Sequence, residues 1–170
     1  RDFFKIKTGF AGTPLMLPTL FECGLDDYAY RLLMNEELPG WLYAVNMGAT
    51  TIWERWNSVL PDGTISGTGM NSLNHYAYGS VCQAIYGYIA GLRPAAPGWK
   101  RAVIAPRTNW RLREIDLAYR SPSGTYRVAW KLLDSGQLDV ELSIPSGAVA
   151  QVELPGREGM ELLGGDYHFL

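Results

Sequence analysis

The sequence predicts a two-part α and β protein, with helices over residues 1–93 and a small antiparallel β-sandwich over residues 94–170. Apolar residues recur at helical spacing in the first part, and they alternate with polar residues at a period of two after Pro94. The stretch between the two patterns, GLRPAAPGW, is rich in proline and glycine, as boundaries between domains often are. These observations predict two domains that meet near residue 93.

The first two helices have clear start and stop signals. The first is predicted to begin at Thr13, as N-cap, with Pro14 in its first turn and Gly24 just past its end. The second is predicted to begin at Asp26 or the next residue, where the helix dipole favours negative charge, and to run until Pro39.

The rest of the first part is predicted as a loop and one long helix. Residues 41–69 contain the turn-rich segment PDGTISGTG and are expected to be mostly loop. A third helix is expected from about Ser72 to Ala90, closed by Gly91. Three helices and a long loop do not obviously close a core, so we expect further helices of the same protein upstream of Arg1.

The second part contains segments with strict alternation. Each of three segments, EIDLAY, YRVAWKL and LDVELSI, places its apolar side chains on one face. These side chains are Ile115, Leu117 and Tyr119 in the first segment, Tyr126, Val128, Trp130 and Leu132 in the second, and Leu138, Val140, Leu142 and Ile144 in the third. The connectors SPSG and DSGQ have turn composition and predict antiparallel hairpins. Further strands are expected in AVAQVEL and in the terminal YHFL. Because a sheet with one solvated face needs a second layer to cover its other face, these strands predict a β-sandwich.

Composition and charge exclude several classes of function. The net charge of -2 gives no basic surface for nucleic acid, and no apolar run approaches the length of a membrane span. Cys23 and Cys82 form no motif. The two could form one disulfide, but nothing in the sequence argues for it, and two free thiols in the core are predicted. The chain begins with Arg1 rather than methionine, so we expect a piece of a longer protein. Any targeting signal would lie upstream of Arg1, so the sequence does not distinguish a cytoplasmic protein from an exported one.

Glu54 is the first candidate site residue. It stands between Trp53 and Trp56 in the segment GATTIWERWN. Aromatic rings often line sugar sites because the apolar face of a pyranose stacks on them, and carboxylates perform glycoside hydrolysis. The alternative is that Glu54 and Arg55 are solvated while the tryptophans pack inward, and spacing alone favours that alternative.

His75, in MNSLNHYAYG, is the second candidate. On the predicted third helix it points about 200° around the axis from Leu73, off the apolar stripe, and Gly79 one turn later would leave space beside it. A ligand pocket and a histidine packed against residues 57–69 fit this position equally well. Because the other histidine, His168, is far away in the sequence, no metal site is predicted, and no cofactor is expected.

Four segments together resemble one family. The segments are TGFAGTPLMLPTL, YRLLMNEELPGWLY, GATTIWERW and GMNSLNHYAYGSV. They resemble the end of the catalytic domain of bacterial α-L-rhamnosidases, glycoside hydrolase family 78, and the resemblance covers about residues 8–93. The last two segments, in that order, are the specific part. The strands after Pro94 resemble, with weaker motifs, the small β-sandwich that follows the catalytic domain in this family.

The resemblance implies a fold and an activity. It implies an (α/α)6 barrel, of which only the last few helices are present here, and an inverting hydrolase that releases terminal α-L-rhamnose. Glu54 matches the family's general base and His75 matches a residue that contacts the rhamnose, while Trp53 and Trp56 would wall the site. The general acid would lie upstream of Arg1. The fragment alone is therefore expected to be inactive, with rhamnosides and the N-terminal part of the same protein as its partners.

Two other functions stay open on the sequence alone. A carbohydrate-binding or assembly module would expose aromatic side chains such as Tyr119 or Trp130 on one sheet face, although their alternation with charged residues favours an inward orientation. A glycosidase with the same barrel could also act on a different sugar, since several families share this scaffold.

Overall fold

The computed structural model describes residues 4–67 and 69–170. The chain divides into two compact units, one that ends at Gln83 and one that begins at Ala84. Helical segments are α1 (Thr13–Glu22), α2 (Asp26–Leu33), α3 (Trp41–Asn46), a 3-10 turn (Ala77–Ser80), α4 (Val81–Ala84), a π-helical turn (Ile85–Ile89) and a second 3-10 turn (Pro97–Trp99). The strands are β1 (Leu92–Pro94), β2 (Arg101–Ile104), β3 (Glu114–Ser121), β4 (Gly124–Leu132), β5 (Leu138–Val152) and β6 (Met160–Phe169).

Helix α1 begins within one residue of the prediction and ends as predicted. Thr13 is its first helical residue rather than its cap, because the Thr13 hydroxyl donates a hydrogen bond to the Gly9 carbonyl oxygen at 2.8 Å. At the other end Gly24 adopts φ +70°, and the N–H of Leu25 donates to the carbonyl oxygen of Leu20 at 2.8 Å. This left-handed glycine cap satisfies carbonyl groups that the helix end leaves open.

Helix α2 begins at Asp26 as predicted, but it ends at Leu33, well before Pro39. The cause is the side chain of Asn35. Its Nδ2 donates to the carbonyl oxygens of Glu37 at 2.7 Å and Pro39 at 3.2 Å, while its Oδ1 accepts from the Glu37 N–H. This local turn offers the backbone an alternative to further helical hydrogen bonds.

Helix α3 lies where the sequence predicts a loop. Six residues are too few to produce a clear helical period. Tertiary contacts hold the helix instead. Trp41 and Tyr43 are buried, the Trp41 Nε1 donates to the Tyr78 carbonyl oxygen at 2.9 Å, and the Tyr43 hydroxyl donates to the Val59 carbonyl oxygen at 2.9 Å.

The predicted third helix begins later than expected, at Ala77. Before that point the backbone pairs with another loop. The N–H of His75 donates to the Ile52 carbonyl oxygen at 2.8 Å, and the N–H of Glu54 donates to the Ser72 carbonyl oxygen at 2.9 Å. The assignment of His75 to a helix face is therefore wrong, because its backbone hydrogen bond goes to a distant segment rather than along a helix.

The described part of the second unit forms one curled, mixed sheet of six strands. The strand order is β1-β2-β5-β4-β3, and β6 pairs with β5. Strand β5 has 15 residues, pairs with β4 through its first half and with β2 through its second, and shifts register between Ile144 and Val149. A shift of this kind bends and twists a strand. It lets one long strand take the place of the two that the sequence predicts.

The predicted order, helices followed by a β domain, is confirmed. The predicted inward faces of β4 and β5 are confirmed as well. Five of the predicted inward side chains are at most 2% exposed: Tyr126, Val128, Trp130, Val140 and Leu142. The pairing is mixed rather than wholly antiparallel, because β2 runs parallel to β5. The buried indole of Trp130 donates to the Ile89 carbonyl oxygen at 2.9 Å, so Trp130 is not an exposed platform for a glycan.

Other predictions concern thiols, membranes and metals. Cys23 and Cys82 are free, but both are exposed, so their predicted place in the core is wrong. In the part of the chain that the structure describes, every helix is too short or too polar to cross a bilayer. Within the same residues, no three His, Cys, Asp or Glu side chains are grouped to hold a metal ion.

Candidate active site

Glu54 is attached to Ser72 through both its backbone and its side chain. The Glu54 N–H donates to the Ser72 carbonyl oxygen at 2.9 Å, and the Ser72 N–H donates to Glu54 Oε2 at 2.8 Å. The residue is half-buried, and Oε1 has no donor among the residues that the structure describes. A carboxylate held at one oxygen, with the other open, can accept a proton from a bound water.

Ser58 organises the loop that carries Glu54. It is fully buried, and its Oγ accepts from the Arg55 N–H at 3.0 Å. Its carbonyl oxygen accepts from the Ser66 N–H at 2.9 Å and from Asn71 Nδ2 at 3.0 Å. Sequence reasoning missed Ser58, because nothing in the local pattern distinguishes a buried serine from the solvated serines around it.

His75 lies on a segment paired with the one that carries Glu54. Besides the two backbone bonds already described, the Thr51 hydroxyl donates to the Leu73 carbonyl oxygen. Segments 51–54 and 72–75 are therefore bound side by side, and the structure brings the two predicted site residues onto adjacent stretches of chain. The space expected beside His75 at Gly79 faces another residue instead, since a Cβ built at Gly79 would lie 3.6 Å from Ile52 Cγ1.

The His75 ring has a defined orientation. Its Nδ1 accepts a hydrogen bond from the Ala77 N–H at 3.3 Å, so Nδ1 carries no proton. The ring proton is therefore on Nε2, where it can be donated to a ligand. The imidazole also stacks on Phe10, with centroids 4.9 Å apart, and on Tyr76, with centroids 5.1 Å apart.

The two tryptophans beside Glu54 are held by the first unit. Trp53 is buried. Trp56 donates from Nε1 to the Thr8 carbonyl oxygen at 3.0 Å, and its ring stacks on Tyr78 with centroids 3.9 Å apart. Burial raises the pKa of the Tyr78 hydroxyl above its ordinary value, so this ring partner stays neutral. That Trp53 and Trp56 wall the carboxylate stays a prediction.

Six rings form a continuous series of contacts, which we call the aromatic series: Trp41, Trp56, Tyr78, Phe10, His75 and Tyr76. The series connects Trp56 to His75 through Tyr78 and Phe10. Sequence reasoning missed Phe10, which lies before α1 in a loop without periodicity. Only the resemblance of the surrounding segment TGFAGTP to the family could have drawn attention to it.

Comparisons with known proteins identify the family of both parts of the chain. Residues 1–89 match the family model for the bacterial alpha-L-rhamnosidase 6 hairpin glycosidase domain, and residues 91–168 match the model for the bacterial alpha-L-rhamnosidase C-terminal domain. The chain is similar to an alpha-L-rhamnosidase of Alteromonas sp. (strain LOR), with 41% identity over 150 residues, which are 88% of this chain and 16% of the relative.

Two solved structures are also similar. The native α-L-rhamnosidase of Aspergillus terreus matches 99% of this chain and 20% of its own, with a TM-score of 0.95 and 38% identity. The Streptomyces avermitilis alpha-L-rhamnosidase, complexed with L-rhamnose, matches 97% of this chain and 18% of its own, with a TM-score of 0.89 and 35% identity. This chain thus spans between a sixth and a fifth of these relatives. It belongs to the bacterial α-L-rhamnosidase family, with the end of the hairpin glycosidase domain followed by the C-terminal domain.

Proposed function

We propose that this chain is the C-terminal part of an inverting α-L-rhamnosidase, in which Glu54 is the general base. In this proposal residues 1–93 end the catalytic domain and residues 94–170 form the C-terminal domain. Membership of the family supports the reaction class, and the relative complexed with L-rhamnose supports the sugar. The observation that carries the role of Glu54 is an Oε2 anchored by the Ser72 N–H, with no described residue donating to Oε1.

The reaction requires two carboxyl groups on opposite sides of the anomeric carbon. In an inverting hydrolase these groups are about 6.5–9.5 Å apart, which leaves room for a water beside the base. One carboxylic acid protonates the oxygen of the leaving group. Glu54 takes a proton from the water, whose oxygen bonds to the anomeric carbon as the glycosidic bond breaks. The acid would come from the part of the protein that precedes this chain.

His75, Trp53 and Trp56 bind rather than transfer protons in this proposal. The Nε2–H of His75 donates to a sugar hydroxyl, which orients the ring and adds to the effective concentration of the reacting groups. The two indoles exclude bulk water from the carboxylate, and a dry site strengthens its interaction with the bound water.

The test is Glu54→Gln in the complete enzyme. Glutamine keeps the size and the Ser72 contact but cannot take a proton, so we expect kcat to fall by about 10³-fold or more with an unchanged melting temperature. The measurement is turnover of a chromogenic α-L-rhamnoside, alongside the same aglycone on other sugars. Glu36→Gln, an exposed carboxylate in the same unit, is the matched control and should retain full activity.

Chemical rescue separates a proton acceptor from a structural residue. In Glu54→Ala, added formate or azide should restore part of the turnover, because a small anion can occupy the place of the missing carboxylate. Near-normal turnover of Glu54→Gln would refute the assignment. Activity confined to a different sugar would instead favour a glycosidase of other specificity.

A further inference from the structure

We infer that Phe10 is a positioning residue for His75: its ring holds the imidazole so that Nε2–H faces the sugar. This inference rests on the proposed role of His75 and adds the group that makes that role effective. Phe10 is not a catalytic residue in this account, because it acts only through the imidazole.

The first observation is the ring geometry. The Phe10 and His75 rings are nearly parallel, with an interplanar angle of 14° and centroids 4.9 Å apart. Tyr76 stacks on the same imidazole at 12° and 5.1 Å. Stacked rings resist tilting, because tilting separates their faces. The edge of the imidazole is therefore the part that can meet a ligand.

The second observation is the hydrogen bond from the Ala77 N–H to His75 Nδ1 at 3.3 Å. It prevents rotation of the ring within its own plane, whereas the stack with Phe10 prevents tilting out of that plane. With both motions restricted, the N–H at Nε2 keeps one direction. A donor with a fixed direction recognises a hydroxyl or ring oxygen better than a freely rotating one, because less entropy is lost on binding.

The third observation is that Phe10 is itself anchored. Its ring contacts Tyr78 with centroids 5.2 Å apart, and Tyr78 is buried against Trp56. The chain before it is tied to Trp56 by the Nε1 bond to the Thr8 carbonyl oxygen at 3.0 Å. Phe10 can therefore transmit the rigidity of the buried rings to a half-buried histidine.

The experiment measures the dissociation constant of L-rhamnose by calorimetry in the complete enzyme. Phe10→Leu keeps an apolar side chain but removes the planar face, and we expect binding about fivefold weaker. Phe10→Tyr restores the face and should bind within about twofold of the parent protein. Phe4→Leu is the matched control, since Phe4 contacts Tyr28 and the Arg31 guanidinium instead, and it should leave binding unchanged.

The decisive comparison is made in the background of His75→Ala. If Phe10 acts through the imidazole, adding Phe10→Leu to His75→Ala should weaken binding no further. Two outcomes overturn the inference and leave the proposed function intact. In the first, Phe10→Leu weakens binding equally with and without His75→Ala. In the second, Phe10→Leu leaves binding unchanged although His75→Ala weakens it. Normal binding of His75→Ala refutes the proposed role of His75 itself. Thermal unfolding of each variant is recorded, and Phe10→Met replaces Phe10→Leu if the leucine variant does not fold.

Discussion

Gly91 demonstrates how one position can require a single residue type for two separate reasons. Its φ of +83° lies in the left-handed region, which side chains with a Cβ rarely adopt. In addition, a Cβ built there would lie 2.3 Å from the Ala105 carbonyl carbon, and the Ala105 N–H donates to the Gly91 carbonyl oxygen at 3.0 Å. The sequence predicts the first reason, as the glycine after a helix, but only the fold reveals the second.

We expect Gly91→Ala to lower the free energy of unfolding by about 3 kcal/mol, of which roughly 1–2 kcal/mol comes from the left-handed backbone and the rest from the displaced Ala105. Gly98→Ala is the matched control. Gly98 has φ +69°, and a Cβ built there would have no atom within 4 Å, so only the backbone cost applies. Urea unfolding of the two variants measures the difference, and equal losses would contradict the role of the close approach.

At the scale of elements, Arg127 connects three strands of the sheet through its side chain. Arg127 on β4 donates from Nε and Nη2 to the two carboxylate oxygens of Asp116 on β3, at 2.9 and 2.8 Å. Its Nη1 donates to Glu141 Oε2 on β5 at 2.7 Å. The hydrogen bond from Arg127 holds the pKa of the Asp116 carboxyl below its usual range. Three strands that pair through their backbones are thus also connected through side chains.

This arrangement predicts a stability that depends on pH. Because the pKa of Asp116 is lower in the folded chain than in the unfolded one, the contribution is present above the unfolded value and is lost as the pH falls through the folded value. We expect Arg127→Met to cost about 0.5–1 kcal/mol at neutral pH, as exposed ion pairs do, and much less at about pH 2. Urea unfolding at both pH values measures this. A cost that stays the same in acid would show that the loss comes from packing of the arginine stem.

At the scale of the whole molecule, the chain spans only 16–20% of the relatives' lengths. Large apolar side chains of the first unit are exposed, with Leu15, Val45, Met70 and Tyr76 each more than half accessible. Exposed apolar side chains of this size are expected where further segments of a domain pack against them. This agrees with a unit that contributes a few helices to a larger helical domain.

The corresponding prediction is that the 170-residue chain alone does not hydrolyse rhamnosides. Inverting hydrolysis needs an acid as well as a base, and this chain would supply only the base. A chromogenic α-L-rhamnoside assay at equal molar concentrations of the chain and the complete enzyme measures it. Clear turnover by the chain would mean that both catalytic groups lie within it, and that the assignment of Glu54 must be revised.

Local patterns in the sequence were enough to predict α1 with its Gly24 cap and the inward faces of β4 and β5, because helical period, strand alternation and turn chemistry are properties of neighbouring residues. The segments around Glu54 and His75 were likewise enough to indicate the family. The tertiary structure alone decided α3, the late start at Ala77, the parallel pairing of β2 with β5, and the stacking of Phe10 on His75. Each of these features depends on contacts between residues far apart in the chain. The free energy of those contacts outweighs local conformational preference, and it cannot be read from the residues that neighbour each position in the sequence.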